Sequence, residues 1–269
     1  MTLAARGVSD VSVDLKGKTC VVTGSARSIG LGVVEMYADL GAKVAMIDID
    51  PEVKKQAERL AAAGHAARGY LLDITDQEAV LACFDDIAKN FGDVFALANV
   101  AGAVDQQPFE EITPERLDKM NRINVNGSIW CAQGALKTMR KHKDGRIINF
   151  ASKSGKTGSA IMAAYSGAKG AIISITQAMA YELARDNIKV NCLCPGIVEK
   201  TGVWSSVSRG YVESLKMEEE AVVKQFTAKV PLGRLCRIDD VVSFVKFLTL
   251  DGDYCTGQAF NVTGGREMH

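Results

Sequence analysis

Short, continuously apolar runs alternate along this chain with longer segments of helical period, and few folds accommodate that rhythm. KTCVVTG (Lys18–Gly24) reads as a buried strand, followed by a helix from about Ser28 to Leu40. AKVAMID (Ala42–Asp48) is a second strand, and the PEVKKQAERLAAAG after it opens on proline and closes on Gly64, the punctuation of a helix. GYLLD ends a third strand at Asp73, with Thr75 expected to cap a helix reaching about Asn90. DVFALAN (Asp93–Asn99) makes a fourth strand, and Thr113–His142 then reads as one long helix with a Thr-Pro start. GRIINFAS (Gly145–Ser152), IKVNCLC (Ile188–Cys194) and QAFNVTG (Gln258–Gly264) supply three more strands. Strands separated by helices of about a dozen or more residues need crossover connections, which give a mainly parallel sheet with helices on both faces. Strands covered on both faces carry no polar alternation, as here. The expectation is an α/β fold: one doubly wound domain over residues 1–269, its parallel sheet built of seven strands.

Size and charge narrow the function. The chain has 269 residues, 47% of them hydrophobic, enough for one large core, and no linker-like run of Pro, Gly or Ser divides it. One polar stretch, about 195–221, interrupts the pattern; it holds Trp204 and Tyr211 and reads as a substrate lid. Lys plus Arg and Asp plus Glu balance at 32 each, so the basic surplus of a nucleic-acid binder is missing. The seven cysteines are odd in number and form no CxxC pair. Cys192 and Cys194 make a CxC, but no further Cys or His stands near them to complete a metal site, so no metal is expected and the cysteines read as small packed residues in a reducing compartment. The first residues lack the apolar stretch of a signal peptide, and no segment approaches the ~18 apolar residues of a membrane span. A soluble cytoplasmic protein is expected.

TGSARSIGLG (Thr23–Gly32) follows the first strand and opens the first helix. Glycines there let the backbone turn tightly and approach a pyrophosphate, while the helix start offers unpaired N–H groups. Asp48 ends the second strand about twenty residues on, where a carboxylate accepts bonds from a ribose diol and repels a 2′-phosphate. Arg27 pulls the other way, since a guanidinium pairs with a 2′-phosphate. Asp48 is better placed, so NAD is expected rather than NADP. Further on, Tyr165 and Lys169 stand four residues apart on one helix face, with Ser152 thirteen residues before the tyrosine. A phenol with a pKa of about 10 is a poor base at neutral pH. A nearby ammonium and a cationic nicotinamide would favour the phenolate and bring that pKa down.

These stretches together resemble the classical short-chain dehydrogenases/reductases, a family of Rossmann-type fold, over essentially the whole chain. The family's TGxxxGxG stands here as TGSARSIG, with Ser28 in place of the middle glycine and Thr23, Gly24, Ile29 and Gly30 kept. The acidic residue of the adenine pocket matches Asp73, followed by Ile74. NNAG stands as NVAG (Asn99–Gly102), which carries Asn99, Ala101 and Gly102 into the cofactor site, and Ser25 and Arg27 join them from the glycine loop. The PG motif is PGIVEKTG: it implies cofactor contacts for Pro195, Gly196, Val198 and Thr201, the threonine falling six residues after Pro195 where five is usual. The resemblance also implies catalytic roles for Asn124, Ser152, Tyr165 and Lys169. Ser152 would hold the substrate oxygen, Tyr165 would act as acid and base, Lys169 would bind the nicotinamide ribose, and the Asn124 backbone would help bind a relay water.

SKSGKTGS, KVPLGR and YCTGQAFNVTGG are similar to stretches of sorbitol-6-phosphate and related polyol dehydrogenases, as is the extra residue of PGIVEKTG. This implies oxidation of a secondary alcohol of a polyol to a ketose. Lys153 and Lys156 flank the substrate side in a loop after Ser152, and an ammonium there suits a terminal phosphate, sulfonate or carboxylate; the plainer reading is two solvated lysines, or one paired with the lid. Trp204 is a further substrate candidate. The alternatives are a 3-oxoacyl-thioester reductase using NADPH, which Asp48 opposes, and a non-catalytic NAD-binding regulator, which the intact catalytic set opposes. The family implies a homotetramer, or a homodimer, built through Thr113–His142, Ile161–Asp186 and the C-terminal tail.

Overall fold

A computed structural model describes residues 12–199, 201, 212 and 218–269. The seven expected strands form one sheet: β1 (Thr19–Thr23), β2 (Lys43–Asp48), β3 (Ala67–Leu71), β4 (Val94–Asn99), β5 (Gly145–Phe150), β6 (Ile188–Pro195) and β7 (Ala259–Val262). All neighbours pair in parallel, in the order β3-β2-β1-β4-β5-β6-β7. The chain winds outward from β1 to β3, then returns to lay β4 on the other side of β1. That reversal opens a crevice at the carboxyl ends of β1 and β4.

The strand period of two sorts each apolar run onto two faces. On one face Cys20, Val22, Val44, Met46 and Ile148 bury against α1 (Ser28–Asp39), α2 (Glu52–Ala62) and a helix near the end of the chain, Ile238–Leu250. On the other, Val21, Ala45, Ile47, Leu97 and Ile147 bury against α3 (Gln77–Asn90) and against helices spanning Gly127–His142 and Ala163–Leu183. Both sides are dry, which is why the strands show no polar alternation. Fully buried aliphatic side chains contribute ~1.5–3 kcal/mol each relative to exposure, so two such layers hold the sheet rigid beneath the crevice. The described helices include none long and apolar enough to cross a membrane.

Local chemistry moves several expected boundaries. Asp76 rather than Thr75 caps α3: its Oδ1 accepts from Ala79 N at 3.0 Å, while Thr75 N is held by Asp73 Oδ1 at 2.9 Å. Both residue types cap well, and position decided between them. The expected helix from Thr113 to His142 starts as predicted, with Thr113 Oγ1 accepting from Arg116 N, but it is not continuous. It divides into α4 (Pro114–Asn121), a π-helical turn at Arg122–Asn126, and α5 (Gly127–His142). Asn124 Nδ2 donates to the Met120 carbonyl at 3.1 Å, the group an α-helical ladder would give to Asn124's own N–H, so the turn widens there.

Strand β5 ends at Phe150, two residues before Ser152, and the expected KSGK loop is a short helix, α6 (Lys153–Thr157). Ser152 is its N-cap, accepting from Ser154 N at 3.1 Å. The helix expected over Ile161–Asp186 is α7 (Ala163–Leu183) followed by one 3₁₀ turn; Ile161 stands outside it with φ 55°. Of the lid segment, Pro195 closes β6 and Glu219 opens α8 (Glu219–Thr227), while Trp204 and Tyr211 lie outside the described residues. Ile238–Leu250 is α9.

Candidate active site

A cleft of about 970 Å³ runs along the carboxyl ends of the strands and collects residues from β1 through β6. At one end β1 turns into α1. Gly24 takes φ 65°, and a methyl group on it would lie 2.8 Å from the Ala101 backbone; one on Gly30 would lie 2.0 Å from the Gly24 carbonyl. Only hydrogen fits at either place. Ser28 adopts φ 51°, so the residue that replaces the family's middle glycine does so in the left-handed region that glycine favours. Arg27 occupies the N-cap of α1 without capping it through its side chain, which leaves the first N–H groups of the helix open to the cleft at Ser28, Ile29 and Gly30. This end fits a pyrophosphate: unpaired donors, a positive helix end, and no side chain in the way.

Asp48 stands on the cleft wall at the end of β2, its Oδ2 accepting from Ala26 N and its Oδ1 from Asp50 N, both at 2.9 Å. The two bonds orient the carboxylate and leave each oxygen a lone pair for a ribose hydroxyl. Arg27 is ion-paired with Asp50. Asp73, Ile74, Ala101 and Gly102 line the same wall, and Pro195, Gly196, Val198 and Thr201 line the opposite one. Thr201 is buried with its hydroxyl donating to the Val198 carbonyl at 3.0 Å. Three expected cofactor residues do not reach the cleft. Thr23 Oγ1 accepts from Ala101 N, Ser25 Oγ donates to the Ile47 carbonyl, and Asn99 Nδ2 donates to Ser128 O and Asn149 Oδ1; all three are buried braces behind the cradle.

The expected catalytic set meets at the centre. Ser152, Tyr165, Lys169 and Asn124 all line the cleft. Tyr165 is half-buried as a residue, with its phenol deep in the cleft; burial pushes the phenol above its usual pKa, and the Ser152 hydroxyl pulls it back in part. The expected lowering by Lys169 is therefore not what dominates in the protein alone: Lys169 Nζ lies 5.8 Å from the ring centroid and donates to the Phe150 carbonyl at 2.8 Å. Asn124 does not touch Lys169 directly. Its Nδ2 donates to Ala103 O at 2.9 Å and its Oδ1 accepts from Ala103 N at 3.2 Å, which fastens the π turn to the segment after β4. Both side chains converge on Gly102, where a methyl group would lie 2.8 Å from Asn124 Oδ1 and 3.2 Å from Lys169 Nζ.

Burial pushes the Lys169 ammonium from 10.5 down to about 8, with only the Cys192 and Cys194 thiols opposing. Its folded pKa lies below the unfolded one, so between those values the unfolded chain holds more protons and stability rises with pH. The wild type is expected to gain about 3 kcal/mol over Lys169→Met across this alkaline window. Urea unfolding of both proteins at several pH values checks it, and parallel curves would show that the buried ammonium carries no penalty.

The lysines of α6 separate. Lys153 lines the cleft; Lys156 is turned away, its Nζ donating to the Ala259 carbonyl at 2.8 Å on β7, and it leaves the candidate substrate set. The two stand at i and i+3, so it is the course of their side chains that differs: Lys153 reaches toward the Gly158 carbonyl and Lys156 toward that of Ala259. Ser159, Met162 and Phe226 complete the substrate end and were not anticipated. Phe226 comes from α8, beyond the lid, and no local pattern marks it.

The protein matches the short chain dehydrogenase family over residues 18–211. It is 36% identical over 256 residues to a sorbitol dehydrogenase of Cereibacter sphaeroides, covering 94% of this chain and 99% of the relative. Among solved structures, an NAD+-bound xylitol dehydrogenase superimposes with a TM-score of 0.89 at 31% identity, covering 94% of this chain and 100% of the other. An actinorhodin polyketide ketoreductase with NADPH gives 0.90 at 30% identity, covering 94% and 98%. Likeness of this extent leaves one family: the chain belongs to the short-chain dehydrogenases, oxidoreductases that act on CH–OH groups with a nicotinamide dinucleotide.

Proposed function

We propose that this protein is an NAD-dependent polyol dehydrogenase, interconverting a secondary alcohol of a sugar alcohol and the corresponding ketose. The observation that carries the reading is the deep Tyr165 phenol, with the Ser152 hydroxyl against it and Lys169 beneath, opening onto the substrate end of the cleft. Ser152 Oγ already accepts from Ser154 N, so its O–H is free to donate to the substrate oxygen and hold it at the phenol. Tyr165 Oη takes the alcohol proton as the C–H bond is oxidised, and returns it in the reverse direction. When bound, an oxidised nicotinamide dinucleotide would supply the hydride acceptor and a positive charge that favours the phenolate. Lys169, fixed by the Phe150 carbonyl, places a cation near the ring and is within reach of a ribose hydroxyl. The sorbitol and xylitol dehydrogenases support the polyol class. An anionic group at the far end of the substrate is supported by Lys153, which lines the cleft, and no longer by Lys156.

NAD preference rests on two carboxylates. Asp48 presents its oxygens where a 2′-phosphate would sit, and Asp50 holds the guanidinium that would otherwise neutralise that phosphate. In a screen of sorbitol, galactitol and xylitol with each cofactor, oxidation is expected with NAD, and kcat/KM is expected to be at least about tenfold lower with NADP. Asp48→Ala should narrow that gap. Higher kcat/KM with NADP in the wild type, or turnover of 3-oxoacyl thioesters but of no polyol, would overturn the reading.

A further inference from the structure

The substrate end of the cleft carries more charge than Lys153. After β7 the chain turns back on itself, with the Glu267 backbone held by two side chains: Asn261 Nδ2 donates to Glu267 O at 3.1 Å, and Glu267 N donates to Thr263 Oγ1 at 3.2 Å. The turn brings the Arg266 guanidinium to 5.6 Å from the centre of the Phe226 ring, and Lys229 Nζ lies 6.0 Å from the same ring. Phe226 and Lys153 both line the cleft. Three stretches far apart in sequence, α6, the end of α8 and the segment after β7, thus gather three cations around the Phe226 ring and the Lys153 side chain.

These cations are barely committed. Among the described residues Arg266 pairs only with its neighbour Glu267, through Nε at 3.4 Å, and its terminal fork makes no hydrogen bond. Lys153 reaches the Gly158 carbonyl at 3.4 Å, and the Lys229 side chain makes no hydrogen bond or ion pair among those residues. The Glu267 carboxylate lies against Arg266 and close enough to Lys153 to act on it, and its Oε2 is buried without a hydrogen-bond partner among the described residues. Burial and then Arg266 push the Lys153 ammonium below its usual range, Lys229 adding to this and Glu267 opposing it. Cations crowded in this way are relieved by an anion placed among them.

We infer that Lys153, Lys229 and Arg266 form a subsite for the phosphate of a phosphorylated polyol, bound at the end of the cleft away from the reacting carbon. Glu267 cancels one positive charge of the three, and the surplus matches a phosphate monoester, which carries about −1.5 to −2 and three acceptor oxygens. The Arg266 fork provides paired donors for two of those oxygens, and the lysines act as point charges on the third. The inference rests on the polyol dehydrogenase reading and narrows its substrate class.

Two measurements test it separately. In the first, inorganic phosphate is titrated calorimetrically into the protein with NAD in excess, so that the helix end at α1 is occupied. Wild type should bind, and Arg266→Gln, Lys153→Met and Lys229→Gln should each weaken binding by about tenfold or more, the loss of one charge-assisted bond. Lys229 is exposed, so folding is not at stake in that variant. Unchanged affinity in all three variants, or methanesulfonate binding as tightly as phosphate, would overturn the subsite. In the second, sorbitol 6-phosphate should exceed sorbitol in kcat/KM in the wild type, and the ratio should fall toward one in the variants. A ratio of one in the wild type would also overturn it. Absence of turnover with every polyol would instead defeat the functional reading, while the calorimetry would still decide the subsite.

Discussion

Tyr165→Phe is expected to lower kcat by at least about 10²–10⁴-fold while leaving cofactor affinity within a few-fold of wild type. Phenylalanine keeps the ring that lies 5.8 Å from Lys169 and removes only the oxygen that meets the substrate proton. Ser152 and Lys169 keep their own anchors, to Ser154 N and Phe150 O, so the rest of the site has no reason to rearrange. Steady-state kinetics with a polyol, alongside fluorescence titration of the dinucleotide, separate the two effects. Residual turnover of more than about a tenth would mean that another group moves the proton. A joint loss of turnover and cofactor binding would point to collapse of the cleft.

Gly30→Ala should be nearly as damaging, through binding instead of chemistry. The added methyl would lie 2.0 Å from the Gly24 carbonyl, which belongs to backbone and cannot rotate aside. Relief requires the β1–α1 turn to open, and overpacking of this kind costs about 1–3 kcal/mol. That displacement falls on the N–H groups at the start of α1, so cofactor affinity should drop by at least about tenfold and Tm should fall with it. Gly167→Ala is the useful contrast: it sits exposed on α7, a methyl there meets nothing within 4 Å, and the exchange should raise Tm through helix propensity. Equal affinity in Gly30→Ala and wild type would mean that the cradle does not bind the pyrophosphate.

The sheet was legible in the sequence because its strands are buried on both faces, and burial of that kind leaves an unbroken apolar signature such as Val21–Val22 or Ala45–Ile47. The cradle was legible for a related reason: backbone contacts as close as that between Gly30 and Gly24 tolerate one residue type, so composition reports geometry directly. What escaped was set by direction and distance. Lys153 and Lys156 look equivalent as letters, but the second is taken up by the Ala259 carbonyl of β7, a neighbour that only the fold supplies. Thr23, Ser25 and Asn99 belong to the site's motifs yet brace it from behind, since a motif position does not reveal which way a side chain faces. Phe226 reaches the cleft from α8, and Arg266 packs against its ring from the turn after β7, both outside every recognisable motif. In the protein alone the phenol's pKa is raised by burial, which no sequence pattern displays, and lowered in part by the Ser152 hydroxyl, whereas the expected lowering also counted on the positive charge of the oxidised cofactor.

The π turn at Arg122–Asn126 makes this stretch far more sensitive to length than to composition. It holds one residue more than an α-helical path between the same ends would need, and that residue widens the turn where Asn124 sits. Loss of a single codon here would let the ladder close as a continuous α-helix between the same ends, and a further insertion would have no second bulge to absorb it. In the closed ladder the Met120 carbonyl goes to a backbone N–H, and Asn124 would let go of Ala103. Homologous chains can therefore vary the letters of this segment widely, but an insertion or deletion within it should be accepted only where a second one nearby restores the count.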